Sequence, residues 1–199
     1  MTPTRLLAAA LAAIPAVAIA QVQGPEAVQA GTYVIDTKET LVRYGTIHMG
    51  LNEFWGTFPG ATGTLTIDPK DIASAKLQVS VPILTVETTN RELNGEFIST
   101  EFFDAGKYPS MKFVSTAVVR TGERMAQVTG NLTLHGITRP VTLNVTFNGV
   151  GPNAFSKVST LGFKADGVVK RSDFGLAKYV PIVSDETTIN ISAAFELKK

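Results

Sequence analysis

The side chains of this chain that could do chemistry are few and scattered. Its two histidines, His48 and His135, have no second histidine or glutamate at the spacing with which one strand or one helix turn closes on a metal. They read as strand histidines satisfied by a neighbour or by solvent, and no metal site is expected. There is no cysteine, which removes a thiol nucleophile, a thiolate metal centre, disulfides and a lipid anchor attached through sulfur. The serines lack a Gly-x-Ser-x-Gly elbow and a nearby base. The acid pairs Asp68 and Asp71, and Asp185 and Glu186, fall in turns where solvated carboxylates are ordinary, and no glycine cluster builds a phosphate loop. Asn131-Leu132-Thr133, Asn144-Val145-Thr146 and Asn190-Ile191-Ser192 spell the glycosylation pattern, which alternating Asn and Thr on a wet strand face generate unaided. No catalytic set emerges, and the chain reads as a non-enzyme that needs no cofactor.

What the chain does carry is apolar. Phe54, Trp55, Phe58, Phe97, Phe102, Phe103, Phe113, Phe147, Phe163 and Phe195 are spread along its length. Such residues ordinarily fill a core. In a β-barrel of about eight strands, however, the interior is either just filled by side chains or holds one small ligand. An apolar tail suits such a cavity, because each buried methylene contributes about 0.8 kcal/mol. The aromatics from Phe54 to Phe163 are therefore the candidate lining of an apolar lumen.

Strands must position them, because the dominant period of the chain is two. From Val128 to Val150 the positions Val128, Leu132 and Leu134, then Val141, Leu143, Val145 and Phe147, are apolar, and the residues between are mostly Thr, Asn or His. Gly136 to Pro140 breaks the pattern and marks a reversal. Thr187 to Lys198 is the cleanest alternation, with Ile189, Ile191, Ala193, Phe195 and Leu197 on one face. Further strands are expected at 33–36, 41–49, 62–67, 76–86, 111–121, 123–134 and 156–169, with a bulged strand in the glycine-flanked 50–60 region. One stretch departs from this period. Thr89-Asn90-Arg91-Glu92 has capping-box spacing with Thr89 as the cap, and Leu93, Phe97, Ile98, Phe102 and Phe103 continue an apolar stripe, which predicts one or two short helices before Pro109. An insertion of that length can cover a barrel mouth. About eight strands at hairpin spacing indicate an all-β antiparallel sheet, closed as a barrel or folded as a sandwich.

At 199 residues the chain fits one domain with a sizeable core. Met1 to Ala20 carries one early cation, Arg5, then an Ala- and Leu-rich run ending Ala18-Ile19-Ala20, the pattern of a cleaved secretory signal peptide. Residues 21–31 lack periodicity and are expected to be a flexible leader to a barrel domain over 32–199. Removing Arg5 with the signal balances the formal charge of +1, so no basic excess remains for nucleic acid. No later apolar run approaches a spanning helix, so the mature form is expected to be soluble, without a transmembrane anchor.

The opening Tyr33-Val34-Ile35-Asp36 and His48-Met49-Gly50 begin a series of landmarks. Phe102-Phe103-Asp104-Ala105-Gly106-Lys107-Tyr108-Pro109 with Met111-Lys112-Phe113-Val114-Ser115, the run Gly130 to Val141, and Lys170-Arg171-Ser172-Asp173-Phe174-Gly175 follow in order. Together they resemble the YceI-like family of bacterial periplasmic proteins over essentially the whole mature chain. The resemblance implies a lipocalin-like antiparallel β-barrel that binds polyisoprenoid or similar amphiphilic lipids in its lumen, without catalysis, in the bacterial periplasm. It transfers no catalytic residue. His135 at a turn, and Arg171 with Asp173, whose ion pair would pin a loop, are the candidates for contact with a lipid head group. The rival readings are a β-sandwich or barrel interaction module with a filled core, an outer-membrane barrel and, last, an enzyme. A homodimer is compatible with all of them.

Overall fold

The structure is a computed structural model and describes residues 22–198; the expected signal segment Met1–Ala20 lies outside the described residues. The backbone is a meander of antiparallel strands in which sequence neighbours are spatial neighbours. β1 (Gly31–Ile35), β2 (Leu41–His48), β3 (Asn52–Phe58), β4 (Thr62–Ile67) and β5 (Lys76–Pro82) precede the helix α1 (Arg91–Ile98). After it come β6 (Ser110–Arg120), β7 (Met125–Leu134), β8 (Ile137–Pro152), β9 (Ser159–Lys170) and β10 (Val183–Leu197).

Ten strands make eight barrel walls, because two walls are each broken in the middle. The fifteen residues of β10 pair with β2 through Leu41↔Ser192 to His48↔Val183, and then with β1 through Ile35↔Phe195 and Tyr33↔Leu197. β1 and β2 are thus two halves of one wall. β3 and β4 are the halves of the next, paired to β2 and β1 respectively. β4 continues to β5, and the sheet closes on itself through β1 and β10. Closure removes the sheet edges that an open meander would expose. Near α1 it is thin: among the described residues the backbone pairing of β3 with the chain after β5 is the isolated Thr57–Glu87 bridge, with hydrogen bonds of 2.8 and 2.9 Å. The insertion between β5 and β6 packs over that gap. We call the end carrying α1 the upper end.

Alternation assigns the two faces. Val128 and Leu132 on β7, Leu143 and Phe147 on β8, and Ile189, Ile191 and Phe195 on β10 point inward. Thr142, Asn144 and Thr146, with Lys164, Asp166 and Lys170 on β9, are exposed outside. An outer-membrane barrel has an apolar outward band; this exterior is polar. On β6 a bulge between Ser115 and Ala117 shifts the register, so Met111 and Phe113 line the interior before it and Val118 and Arg120 after it. The β7–β8 reversal is made by His135 and Gly136 alone, with φ of 51° and 76°, the two-residue turn that matches strand twist. A side chain at Gly136 would also come within 2.5 Å of the Tyr108 ring, so glycine is required there on two counts.

Two local expectations are corrected. The helix is capped by Asn90, whose side chain accepts from the amides of Glu92 (2.9 Å) and Leu93 (3.3 Å), and not by Thr89. Asn is at least as good a cap as Thr, and it gains extra support because Thr88 donates its hydroxyl to the Asn90 carbonyl at 2.8 Å. The stretch expected to be a flexible leader is docked in its described part. Gln23 pairs with Val150, and Val28 is buried against Tyr33, Phe147 and Leu161 in the lower apolar cluster. A leader without periodicity still orders when a single apolar side chain finds a socket.

Candidate functional site

The barrel interior is not filled. Two chambers run end to end along the axis, with volumes of about 280 Å³ below and about 440 Å³ above. They share a waist formed by Val42, Met111, Leu132, Val169 and Ile189. The lower chamber is walled mainly by aliphatic residues of β5, β7 and β8 such as Val79, Val128, Val141 and Leu143. Arg120, Glu123 and Arg124 stand at its outer end beside the β6–β7 turn. The upper chamber is walled by β2, β3 and β10 and roofed by α1.

Sequence placed the lining aromatics with one exception. Phe113, Phe147 and Phe163 line the lower chamber, and Phe54, Phe58, Phe97, Phe102 and Phe103 the upper one. In the roof, Phe97 and Phe102 lie 4.7 Å apart by ring centroid, Phe103 meets Phe58 edge-on at 5.8 Å, and Tyr44 lies 5.5 Å from Phe58. Trp55 is the correction. It lies between Phe54 and Gly56, which face inward, so the period of two turns it outward, where the Arg43 guanidinium sits 4.7 Å over its ring.

The three candidates for a head group prove to be of different kinds. His135 does not line the lumen. Its Nδ1 lies 3.2 Å from the Phe174 carbonyl oxygen, and its ring stands edge-on to Tyr108, so it ties a turn to a neighbouring loop. Asp173 is exposed and forms no ion pair with Arg171; the 3-10 turn Arg171–Phe174 sends the two side chains in different directions. Among the described residues the ion pairs are those of Lys178. Arg171 does line the upper chamber and is buried, but as a scaffold. Gly175, at φ 75°, reverses the chain so that the following loop returns over the guanidinium. Its Nε donates to the Ser184 carbonyl (2.9 Å), Nη1 to those of Leu176 (2.7 Å) and Lys178 (2.6 Å), and Nη2 to that of Val183 (2.9 Å). Burial pushes its pKa down from the usual arginine value, with the nearby Asp185 carboxylate opposing that shift. Asp185 is itself held below the usual carboxylate range by the Ser172 hydroxyl and amide, at 2.6 and 2.8 Å.

Sequence singled out neither Lys178 nor Tyr179, the polar residues that matter most to the upper mouth. His48, Lys178, Tyr179 and Ile182 surround it, and its rim carries exposed Met49, Leu51 and Val180. Lys178 Nζ reaches Glu96 of α1 and Glu101, each at 2.8 Å, and Tyr179 donates its hydroxyl to Glu96 at 2.6 Å. These contacts clasp the roof to the loop before β10. The Lys178 and Tyr179 hydrogen bonds hold the Glu96 carboxyl below its ordinary value, and the same contacts raise Lys178 and Tyr179. The Glu96 contribution is therefore complete above the unfolded value of about 4.3 and is lost as pH falls through the lower folded value; the Lys178 contribution is lost only at strongly alkaline pH. The clasp is partly exposed, so its energetic weight is small. Lys178→Met is expected to raise amide hydrogen exchange in α1 at neutral pH without lowering the melting temperature appreciably. Acidification below the ordinary glutamate range should lower the protection of the same amides in the unaltered protein, measured relative to the slower intrinsic exchange at that pH. Unchanged exchange in the variant would show that the aromatic packing alone holds the roof.

Among the described residues no three His, Cys, Asp or Glu side chains come together as a metal site, and no helix is long and apolar enough to cross a membrane. Between the charged groups at its two ends the interior presents apolar walls, a few hydroxyls and the Arg171 guanidinium, which is committed to carbonyls. Such a surface can sequester an apolar molecule.

Known proteins share this architecture. A UPF0312 protein of Pseudomonas savastanoi pv. phaseolicola is 35% identical over 169 residues, 84% of this chain and 86% of its own. The crystal structure of BcnA from Burkholderia cenocepacia superposes with a TM-score of 0.73 at 26% identity, covering 80% of this chain and 98% of that one. A polyisoprenoid binding domain from Saccharophagus degradans, implicated in plant cell wall breakdown, shares the fold at a TM-score of 0.61 and 14% identity, covering 85% of this chain and all of that one. The model of the YceI-like domain matches residues 33–195, from the first strand of the barrel to the last, and the chain belongs to that family.

Proposed function

We propose that the protein binds a long-tailed isoprenoid lipid, or an amphiphile of similar shape, inside its barrel, and carries or sequesters it in the bacterial periplasm. The observation that carries this reading is the pair of apolar chambers that share a waist of five side chains. A filled-core interaction module has no use for them, and leaving them empty forfeits dispersion contacts along their whole lining. An extended tail restores those contacts. At about 0.8 kcal/mol per methylene, a five-carbon isoprene unit gains roughly 4 kcal/mol on burial. A few units then exceed the roughly 4–15 kcal/mol lost in translational and rotational freedom on association. The polyisoprenoid-binding domain that shares this fold supports the ligand class, and the Met1–Ala20 composition supports export.

Native mass spectrometry of the mature protein, purified from the periplasm without detergent, tests the reading, with organic extraction of whatever is released. A stoichiometric adduct identified as a prenylated lipid is expected. A bare polypeptide mass that stays unchanged after incubation with prenyl lipids would leave an interaction module as the better account.

A further inference from the structure

The two ends of the barrel present different surfaces. The lower mouth carries charge, from Arg120, Glu123 and Arg124. At the upper mouth the turn between β2 and β3 lies beside the segment that enters β10: the Met49 amide donates to the Ile182 carbonyl at 2.8 Å, and the Ile47 amide to the Ser184 hydroxyl at 2.9 Å. Neither segment, 47–52 or 179–184, contains an Asp, Glu, Lys or Arg. What they carry is apolar and exposed. Leu51 is 80% accessible, Ile182 60%, Met49 56% and Tyr179 48%, with Ile47 and Val180 exposed beside them. A contiguous apolar patch of this kind is uncommon on a protein surface unless something covers it. Two of these side chains are also held at a conformational cost. Met49 and Tyr179 have φ of 53° and 69°, in the left-handed region where glycine or asparagine is the relaxed choice. A turn selected for its backbone alone has no need of a large side chain at either position.

We infer that this uncharged double tip docks the protein onto a lipid bilayer, its apolar side chains entering the interface, so that cargo passes between membrane and lumen without crossing water. The inference rests on the lipid-binding reading above. Three observations select a bilayer as the occupant. The patch is continuous with the upper chamber, because Tyr179 and Ile182 belong to both, so a surface pressed on the tip is also pressed on the mouth. A second copy seated tip to tip would instead close the mouth of each barrel. The backbone of the tip is largely satisfied from within. Besides Met49 and Ile47, the amides of Leu51, Val180 and Val183 donate to the carbonyls of His48 (3.0 Å), Ala177 (3.0 Å) and Tyr179 (2.8 Å), and Pro181 has no amide to place. Loops with their donors already used can enter an apolar medium without stranding them. A protein interface needs about one hydrogen bond per 100–200 Å², and this tip keeps few donors free for one. The third observation is the missing charge. No ionised side chain of the tip has to be stripped of water on insertion, and no cluster of Lys or Arg is present to read an anionic surface, so the attraction is hydrophobic.

Flotation of the mature protein with phosphatidylcholine vesicles, and with vesicles containing added phosphatidylglycerol, tests this at low and at high salt. The unaltered protein is expected to float with both, with little dependence on salt. Leu51→Asp and Met49→Asn should each lower the partition roughly tenfold, the loss expected when one large apolar side chain no longer enters the interface. Asparagine suits the left-handed backbone better than methionine, so Met49→Asn should melt no lower than the unaltered protein. Weaker docking at equal or higher stability separates a membrane contact from a structural role. Val168→Asp, at an apolar residue of similar exposure on the outer wall of β9, should leave the partition unchanged. An unchanged partition in the Leu51→Asp, Met49→Asn double variant overturns the docking surface. Binding confined to the anionic vesicles and lost in high salt assigns the attraction to charge and overturns it as well. If the unaltered protein sediments as a dimer without vesicles and the double variant as a monomer, the tip is covered by a second copy and the inference falls. Uptake of a prenyl benzoquinone is measured in parallel on the unaltered protein. Uptake without vesicle binding overturns the docking and keeps the cargo reading; vesicle binding without uptake supports the docking and removes that reading.

Discussion

Arg171→Met is expected to lower the stability of the protein by about 4 kcal/mol, and its melting temperature by roughly 8–16 °C at 2–4 °C per kcal/mol for a domain of this size. The reason is what the side chain leaves behind. Four carbonyls, of Leu176, Lys178, Val183 and Ser184, converge on one buried guanidinium, and a methionine supplies no donor to any of them. Each acceptor stranded away from water costs about 1–3 kcal/mol. The loop is near the surface, so some of them recover a water and the total falls short of the full sum. Arg171→Lys should recover only a fraction, because an ammonium has three donors on a single point and cannot fork across the loop. The upper mouth should suffer first, since these carbonyls set the path of the segment carrying Lys178 and Tyr179, which clasp α1. Thermal unfolding followed by circular dichroism, with hydrogen exchange across 176–184, checks both parts. A variant that melts like the unaltered protein and merely binds lipid less well would restore Arg171 to the role of head-group contact.

That reversal of role shows where sequence stops being informative. Alternation in β10 and across the β7–β8 hairpin correctly identified the inward faces, because a strand with one dry and one wet face writes its orientation residue by residue. The same rule puts Val42, Tyr44, Thr46 and His48 on one face of β2, and all four line the upper chamber. Trp55 was misplaced because a large aromatic next to inward Phe54 draws the eye more strongly than its parity, and the inward residue on its other side, Gly56, has no side chain to mark the face. β6 defeats simple parity through its bulge. The two broken walls were legible as four short strands, but the union of β1 and β2 into one wall depends on their shared pairing to the long β10, between residues more than a hundred positions apart. Arg171 and Asp173 look like an ion pair in sequence because their charges are opposite and close; the 3-10 turn separates them, and distant carbonyls take the guanidinium instead. The Tyr44 hydroxyl is buried without a hydrogen-bond partner among the described residues, and nothing local in sequence distinguishes such a phenol from a satisfied one.

Leu132→Trp should divide the lumen and convert a long-tail binder into a short-tail binder. Leu132 belongs to the waist, lines both chambers, and stands directly between Phe113 of β6 and Arg139 of β8 in the wall. Leu132 packs against the buried cluster that includes Val42 and Val169, so an indole there carries an overpacking cost of about 1–3 kcal/mol. The effect on ligand is larger. Every isoprene unit turned back at the waist forfeits roughly 4 kcal/mol of burial, close to a thousandfold in affinity. Tails short enough for the upper chamber lose nothing. In the unaltered protein, affinity should climb with each added isoprene unit until the lower chamber is full; in the variant it should level off once the upper chamber is full. Titrating a series of prenyl benzoquinones of increasing tail length against both proteins reads this out, with melting temperatures to confirm that the variant is folded. Parallel curves, shifted or not, would show that the tail does not pass the waist, and with that result the two chambers would have to be treated as separate sites.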